Sequence, residues 1–154
     1  MKTIVEDTRN QVGKHDNVRK QLEALGYKIV RSKMIVGDYT LPTNQTICID
    51  TKKDLNELCS NAAQGHARFT SELALAQSLG IRLIILCEHG EGIEKLSDVN
   101  TWYNPRLRVS KCALSGQRLF KILYTMEKKH GTQFLFCDRR STGARIVGLL
   151  EGGG

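Results

Sequence analysis

The sequence predicts an α/β domain of three layers around a mixed central sheet, on three observations. Apolar stretches with the two-residue repeat of strands alternate along the chain with stretches that repeat every 3.6 residues. A near-continuous apolar run, RLIILC at 82–87, has the composition of a central strand covered on both faces. Turn chemistry between two β-rich segments at 34–50 adds an antiparallel pair to strands otherwise joined through helices. At 154 residues the chain fits one domain, placed at 1–151, with a frayed glycine tail at 152–154. A domain of this size buries about two thirds of its surface without disulfide staples.

Taken in order, residues 3–5 open the sheet and run into the charged stretch EDTRN at 6–10. Ligands gather beyond the carboxyl ends of strands in open α/β folds, so Asp7 and Arg9 are placed to join a site. A plain charged strand end has the same composition. Asp16 or Asn17 caps a helix reaching Leu25, with Val18, Leu22 and Leu25 on its buried face and Gly26 as its stop. Residues 27–31 return as a strand. Beyond residue 53, Asp54 caps a helix burying Leu55, Leu58, Cys59 and Ala62, and Gln64-Gly65 ends it. A second helix over 67–79 buries Phe69, Leu73 and Ala76, and its Arg68 and Glu72, four apart, have the spacing of a helix ion pair. After the central strand, Glu88 and His89 can reach a metal, although a solvated loop is the commoner setting.

Residues 91–117 show no clear period. They hold Trp102 and Tyr103, followed by Arg106, Arg108 and Lys111. Aromatics interleaved with bases suit stacking on unpaired nucleotides and holding phosphates, and equally suit packing this connection onto the body or a second subunit. Leu119, Ile122, Leu123 and Met126 mark a helix that ends at Gly131 after the basic turn of Lys128, Lys129 and His130. A strand at 133–137 and a helix at 142–150, with Ile146, Val147 and Leu150 inward, close the domain.

The most informative stretch is MIVGDYTLPTNQTICIDTKK at 34–53. Residues 34–41 and 46–50 read as strands and Pro-Thr-Asn-Gln as their turn. A turn centred on Asn44 makes Asp38 and Asp50 cross-strand neighbours roughly 5 Å apart, which is destabilising unless a positive charge lies between them. Alternation puts Cys48, Asp50 and Lys52 on one face and Ile47, Ile49 and Thr51 on the other. Two carboxylates and a lysine so placed suit Mg²⁺, which takes hard oxygen ligands and keeps several waters. From these residues alone, a surface hairpin showing its charges to solvent is the commoner arrangement.

Composition narrows the class further. The hydrophobic fraction of 40% and charged fraction of 25% are those of an ordinary globular protein, with no apolar run near the roughly 18 residues of a membrane span. The opening TIVED reads as a strand and not as a leader. Five scattered cysteines, Cys48, Cys59, Cys87, Cys112 and Cys137, lack any C-x-x-C pair, so reduced core thiols and a cytoplasmic setting are expected and a zinc site is not. The formal net charge of +7 favours a polyanionic partner.

Four blocks carry a family resemblance. IVEDTRN, VGDYTL, IDTKK and HARF resemble, in order and spacing, the V-D-x-R-E, G-D-Y, E-R-K and G-R-F blocks of the XPF-type nuclease domain. That domain is the excision-repair and fork-cleaving branch of the PD-(D/E)-x-K superfamily. The helix, strand and helix from Gly116 onward follow the same order, so the resemblance spans essentially the whole chain. It implies a restriction-endonuclease-like fold in which Asp7, Asp38 and Asp50 bind the metal, Lys52 is the catalytic lysine, and Arg9 and Arg68 contact phosphate. It implies Mg²⁺ as cofactor, with Mn²⁺ as a substitute, DNA as partner, and a homodimer. The activity implied is endonucleolytic hydrolysis of branched, flapped or forked DNA.

The departures from the family pattern are specific. Asn10 stands for Glu, Asp50 for Glu, Thr51 for Arg, and Asn56 for the acid expected four residues after the lysine, with Glu57 next to it. His66 and Ala67 precede Arg68 where the eukaryotic form has Gly-Arg. D-T-K for E-R-K is similar to the small stand-alone forms of phages and bacteria, which implies a bacterial or phage-infected cytoplasm. Eukaryotic relatives grip DNA with tandem helix-hairpin-helix modules, which the residues after Leu150 do not supply. DNA recruitment is therefore expected to fall to the basic surface of the domain or to a partner. The substitutions also motivate a rival reading, a subunit that keeps the fold and binds DNA or scaffolds without cutting. A further rival is a phosphodiesterase acting on RNA or without preference.

Overall fold

The structure is a computed structural model describing residues 2–152, so Gly153 and Gly154 of the expected tail lie outside the described residues. Gly152 ends the last helix, its amide donating to the Gly148 carbonyl at 3.0 Å. The strands are β1 (Lys2–Asp7), β2 (Tyr27–Ser32), β3 (Tyr39–Leu41), β4 (Asn44–Lys52), β5 (Arg82–Cys87) and β6 (Gln133–Phe136). The helices are α1 (Asp16–Ala24), α2 (Leu55–Ala62), α3 (His66–Ser78), α4 (Gly116–His130) and α5 (Thr142–Glu151). The strands form one sheet in the order β2-β1-β3-β4-β5-β6. Only β3 runs against its neighbours, pairing antiparallel with β1 and β4, and the remaining pairs are parallel. The mixed sheet is the expected one.

Helices cover both faces because the central strands are apolar on both. Leu83, Ile85 and Cys87 of β5 pack with Leu55, Leu58, Phe69, Leu73, Leu119 and Leu123, from α2, α3 and α4. Ile84 and Leu86 point the other way, to Val18 and Leu22 of α1 and Ile146 and Leu150 of α5. Each such side chain, fully buried, contributes about 1.5–3 kcal/mol. No helix among the described residues is long and apolar enough to cross a membrane.

The hairpin differs from expectation in a specific way. Tyr39 pairs Ile49 and Thr40 pairs Cys48, but Leu41 then pairs Asn44, so residues 45–47 of β4 face no partner in β3 and the turn is Pro42-Thr43. The Thr40 hydroxyl fills the bulge by donating to the Ile47 carbonyl at 2.7 Å. Residues 34–38, expected in a strand, leave the sheet. The Met34 amide donates to the Asp7 carboxylate at 2.9 Å instead of to a neighbouring strand, and Gly37 turns at φ +78, where a Cβ would crowd Cys48 and the Ile49 carbonyl. Similarly, α1 stops at Ala24, and Leu25, expected on its buried face, is 50% exposed just before Gly26 reverses the chain at φ +90.

A buried carboxylate ties α1 and β2 to β1. Glu6, 2% exposed, takes Arg31 at 2.8 Å, Arg19 at 3.2 Å and the Tyr39 hydroxyl at 3.2 Å. Arg31 also donates to the Asn10 carbonyl at 2.6 Å, which pins the loop leaving β1. At the other side of the molecule, residues 91–115 form two short 3₁₀ turns, Leu96–Thr101 and Pro105–Arg108. Gly116 at the start of α4 lies against the first of them, where a Cβ would collide with the carbonyl oxygens of Val99 and Trp102. Gly116→Ala is therefore expected to cost about 1–3 kcal/mol, read as a lower denaturant midpoint with an unchanged slope. An unmoved midpoint would mean that the turn yields freely.

Candidate active site at the ends of three strands

The pairing registers set three acidic residues side by side. Glu6 lies opposite Tyr39 and Tyr39 opposite Ile49, so one step further Asp7, Asp38 and Asp50 make a row across β1, the chain entering β3, and β4. Backbone bonds fix the row, from the Asp7 amide to the Asp38 carbonyl at 2.9 Å and from the Asp38 amide to the Ile49 carbonyl at 2.7 Å. All three are buried, on the sheet face covered by α2 and α3. Lys52, two residues beyond Asp50 on the same face, places Nζ 3.1 Å from the Asp50 carboxylate and 5.3 Å from the centre of the Phe69 ring.

Asp38 is held by neutral donors. Its Oδ2 accepts from the Thr51 amide and hydroxyl, both at 2.9 Å, and its Oδ1 from the Asn10 side chain at 3.0 Å. Two departures from the family pattern, Asn10 and Thr51, thus serve the same carboxylate. Burial alone would raise the Asp38 carboxyl, but the Thr51 and Asn10 hydrogen bonds and the Asp50 side chain favour its ionised form and leave it below the ordinary value. Asp50 goes the opposite way. Burial, then the Asp38 charge, push it well above the ordinary carboxylate value, against the pull of Lys52. For Lys52, burial works against the charge, and the Asp50 carboxylate more than restores it, so the ammonium is held firmly.

Two adjacent carboxylates displaced in opposite senses behave as a pair sharing one proton. A divalent cation in place of that proton removes the repulsion, and Mg²⁺ is satisfied by one or two carboxylates with waters and a phosphate oxygen. Asp38 and Asp50 fit that demand. Asp7 contributes its position in the row, while its oxygens are engaged by the Met34 amide at 2.9 Å and by Arg9 Nε at 2.6 Å. Among the described residues no three Asp, Glu, His or Cys side chains stand close enough to hold a metal together.

A polar cavity of about 340 Å³ opens over Asp50 and Lys52, with Arg68 and Glu72 of α3 on its wall. Glu72 is the group that sequence reasoning missed. It forms no ion pair with Arg68 and instead faces Lys52 and Asp50, its carboxyl raised by burial against the nearby Lys52 charge. The signal was present in the 3.6-residue repeat, which puts Glu72 on the same side of α3 as Phe69. Of the remaining candidates, Arg106 borders a separate cavity behind α2 that shares Ser60 and Gln64 with this one. Arg108 lies 5.9 Å from the Tyr103 ring, and Lys111 is exposed beyond it. Trp102 packs against the core and edge-on to His89 at 5.8 Å.

Glu57 and His89 serve α2 instead. The Glu57 amide donates to Asp54 at 2.9 Å, its carboxylate accepts from the Lys53 amide at 2.7 Å, and His89 Nδ1 accepts from the Leu55 amide at 3.1 Å. His89 therefore caps α2 from the loop after β5, and its side chain, 9% exposed, is held edge-on to Trp102 where solvent was expected.

A mixed six-stranded sheet between helical layers, with its acidic row at the strand ends, defines a restriction-endonuclease-like α/β/α fold. The fold is that of the XPF nuclease domain. The chain is similar to XPF from Aeropyrum pernix, with a TM-score of 0.70 at 16% identity over 98% of this chain and 64% of that one. It is also similar to the structure of XPF from Aeropyrum pernix in complex with DNA, with a TM-score of 0.68 at 18% identity over 99% of this chain and 65% of that one. The chain thus spans about 64–65% of the length of these structures. No protein-family model matches the chain, and neither does any curated protein sequence.

Proposed function

We propose that the chain is a DNA endonuclease dependent on Mg²⁺, with Mn²⁺ as a substitute, that hydrolyses phosphodiester bonds in branched, flapped or forked DNA. The observation that carries this reading is the row of Asp7, Asp38 and Asp50 on adjoining strands with the Lys52 ammonium 3.1 Å from Asp50, at the mouth of a cavity edged by Arg68. Asp38 and Asp50 hold the metal, with Asp7 next in the row. When bound, the metal polarises the phosphate and lowers the pKa of a water. Lys52, kept charged by Asp50, contacts the phosphate or orients the attacking water. Arg9 and Arg68 neutralise flanking phosphates, and Arg106, Arg108 and Lys111 extend the positive surface around α2. The fold shared with a protein seen in complex with DNA supports the choice of substrate. A homodimer, which would double the basic surface, is part of the proposal.

One observation favours a second reading. The engagement of both Asp7 oxygens, with no three ligands converging, suits a subunit that binds DNA without cutting it. Incubating the chain with labelled flap, fork and linear duplex DNA, in Mg²⁺ or in chelator, separates the two. Cleavage of the branched substrates in Mg²⁺ alone is the expected result. DNA binding that is indifferent to Mg²⁺ and Mn²⁺, with no product, would establish the inert subunit, and equal cutting of RNA hairpins would overturn the DNA assignment.

A further inference from the structure

The connection from β5 to α4 is basic throughout its second half. No acidic residue stands between Asp98 and Glu127, a stretch that holds Arg106, Arg108, Lys111, Arg118 and Lys121. Arg106, Arg108 and Lys111 are exposed, and none of them forms a salt bridge among the described residues. Arg106 edges a cavity of about 170 Å³ whose wall includes Asn56 and Ser110. Ser60 and Gln64 of that wall also line the cavity over Asp50 and Lys52, so the two spaces adjoin across the C-terminal end of α2.

Tyr103 adds an aromatic face to this surface. A single exposed ring carries no meaning by itself, but this one, 57% exposed, is mounted between two anchored neighbours. Trp102 packs against the core. Asn104, 1% exposed, donates to the Leu114 carbonyl at 2.8 Å and accepts from the Arg106 amide at 3.0 Å. The Arg108 guanidinium lies 5.9 Å from the centre of the Tyr103 ring. A tyrosine on a fixed backbone loses little freedom when a planar group stacks on it. Duplex DNA keeps its base faces stacked on one another, so an unpaired strand is the polyanion that offers both faces and phosphates to such a surface.

We propose that the surface from Tyr103 to Lys111 holds the unpaired arm of a branched DNA, with one base stacked on the Tyr103 ring. Arg106, Arg108 and Lys111 take the neighbouring phosphates, and the wall shared at Ser60 and Gln64 leads the strand towards Lys52. The inference rests on the nuclease reading of the Lys52 cavity. It adds the reason a branch is chosen, since the cutting site then lies at the end of a track that favours unpaired DNA.

The test is run in chelator, so binding is read without cleavage. Labelled oligothymidylate is titrated with the chain, beside an abasic oligomer of the same length and a duplex. Tyr103→Ala is expected to weaken oligothymidylate about tenfold, and Tyr103→Phe, which keeps the ring, should bind as the unaltered chain does. The abasic oligomer has phosphates but no faces, so the unaltered chain should bind it about tenfold more weakly than oligothymidylate. Arg106→Ala and Arg108→Ala should each reduce the slope of log affinity against log salt by about 0.7, the value for one phosphate of a single strand. Unchanged oligothymidylate affinity in Tyr103→Ala, or an equal loss for the duplex, would overturn the proposal. So would loss of self-association in that variant with oligothymidylate binding intact, which would make Tyr103 a subunit contact. Tyr103-dependent binding by a chain that never cuts DNA would count against the nuclease reading alone, and cutting with binding indifferent to Tyr103 against this inference alone.

Discussion

Asp38→Asn and Lys52→Ala are each expected to lower DNA cleavage by at least about 10³-fold while the fold persists, by analogy with the loss of a single preorganised electrostatic group. The reasons differ. Asparagine at 38 keeps an oxygen for the Thr51 donors but removes the charge that makes the pair attract a cation. Alanine at 52 removes the ammonium 3.1 Å from Asp50 and leaves the Asp38–Asp50 pair in place. The second variant should therefore still bind Mn²⁺ and the first should bind it weakly, so metal titration distinguishes two losses that look alike in a gel. Circular dichroism checks the fold. Metal-dependent cutting retained by both variants would sink the site assignment.

Glu6→Ala is expected to give the largest loss of stability. Truncating it strands Arg19, Arg31 and the Tyr39 hydroxyl around a buried cavity. Breaking a buried ion pair from one side costs about 3–5 kcal/mol. At about 2–4 °C per kcal/mol for a chain of this length, Tm should fall by about 6 °C or more. In the double variant Glu6→Ala with Arg31→Ala, the two losses should not add, because the second removes a charge the first left unpaired. A Tm within about 2 °C of the unaltered chain would show that water replaces the carboxylate at no cost. Since Arg31 also holds the loop that carries Asn10, and Asn10 donates to Asp38, some loss of cutting is expected beyond the loss of stability.

What the sequence disclosed depended on whether a feature was periodic or local. The two-residue repeat of 46–52 set Asp50 and Lys52 on the face opposite Ile49, and the structure has them there. Asp54 and Gly131 bound their helices as a capping side chain and the lack of one demand, whereas α2 stops at Ala62, ahead of the expected Gln64-Gly65, and Gly65 instead precedes α3. The assumed register placed Asp38 beside Asp50 although the turn itself is elsewhere, because the bulge after Thr40 absorbs the difference. Contacts between distant parts of the chain were less legible. Residues 34–38 are β-rich, yet the Asp7 carboxylate competes for the Met34 amide, a contact no local pattern records. Gly37 was the one sign that this stretch would turn. His89 and Glu72 were misplaced for the same reason, since each is fixed by what packs on it, Trp102 in one case and the Lys52 cavity in the other. The stretch 91–115 is built from 3₁₀ turns whose amides are satisfied locally, as when Asp98 takes those of Glu94 and Lys95, and such turns leave no period to read.

The bulge between Thr40 and Leu41 has a practical consequence. The tip of the hairpin, Pro42-Thr43, is exposed, and the register from Tyr39 inward is set independently of it. Extra residues spliced in at the tip would be absorbed outside the paired segment, leaving the spacing of the acidic row untouched. That makes Pro42-Thr43 a permissive port, where a reporter peptide or a targeting module can be fused without retuning the chemistry at the far end of the same two strands.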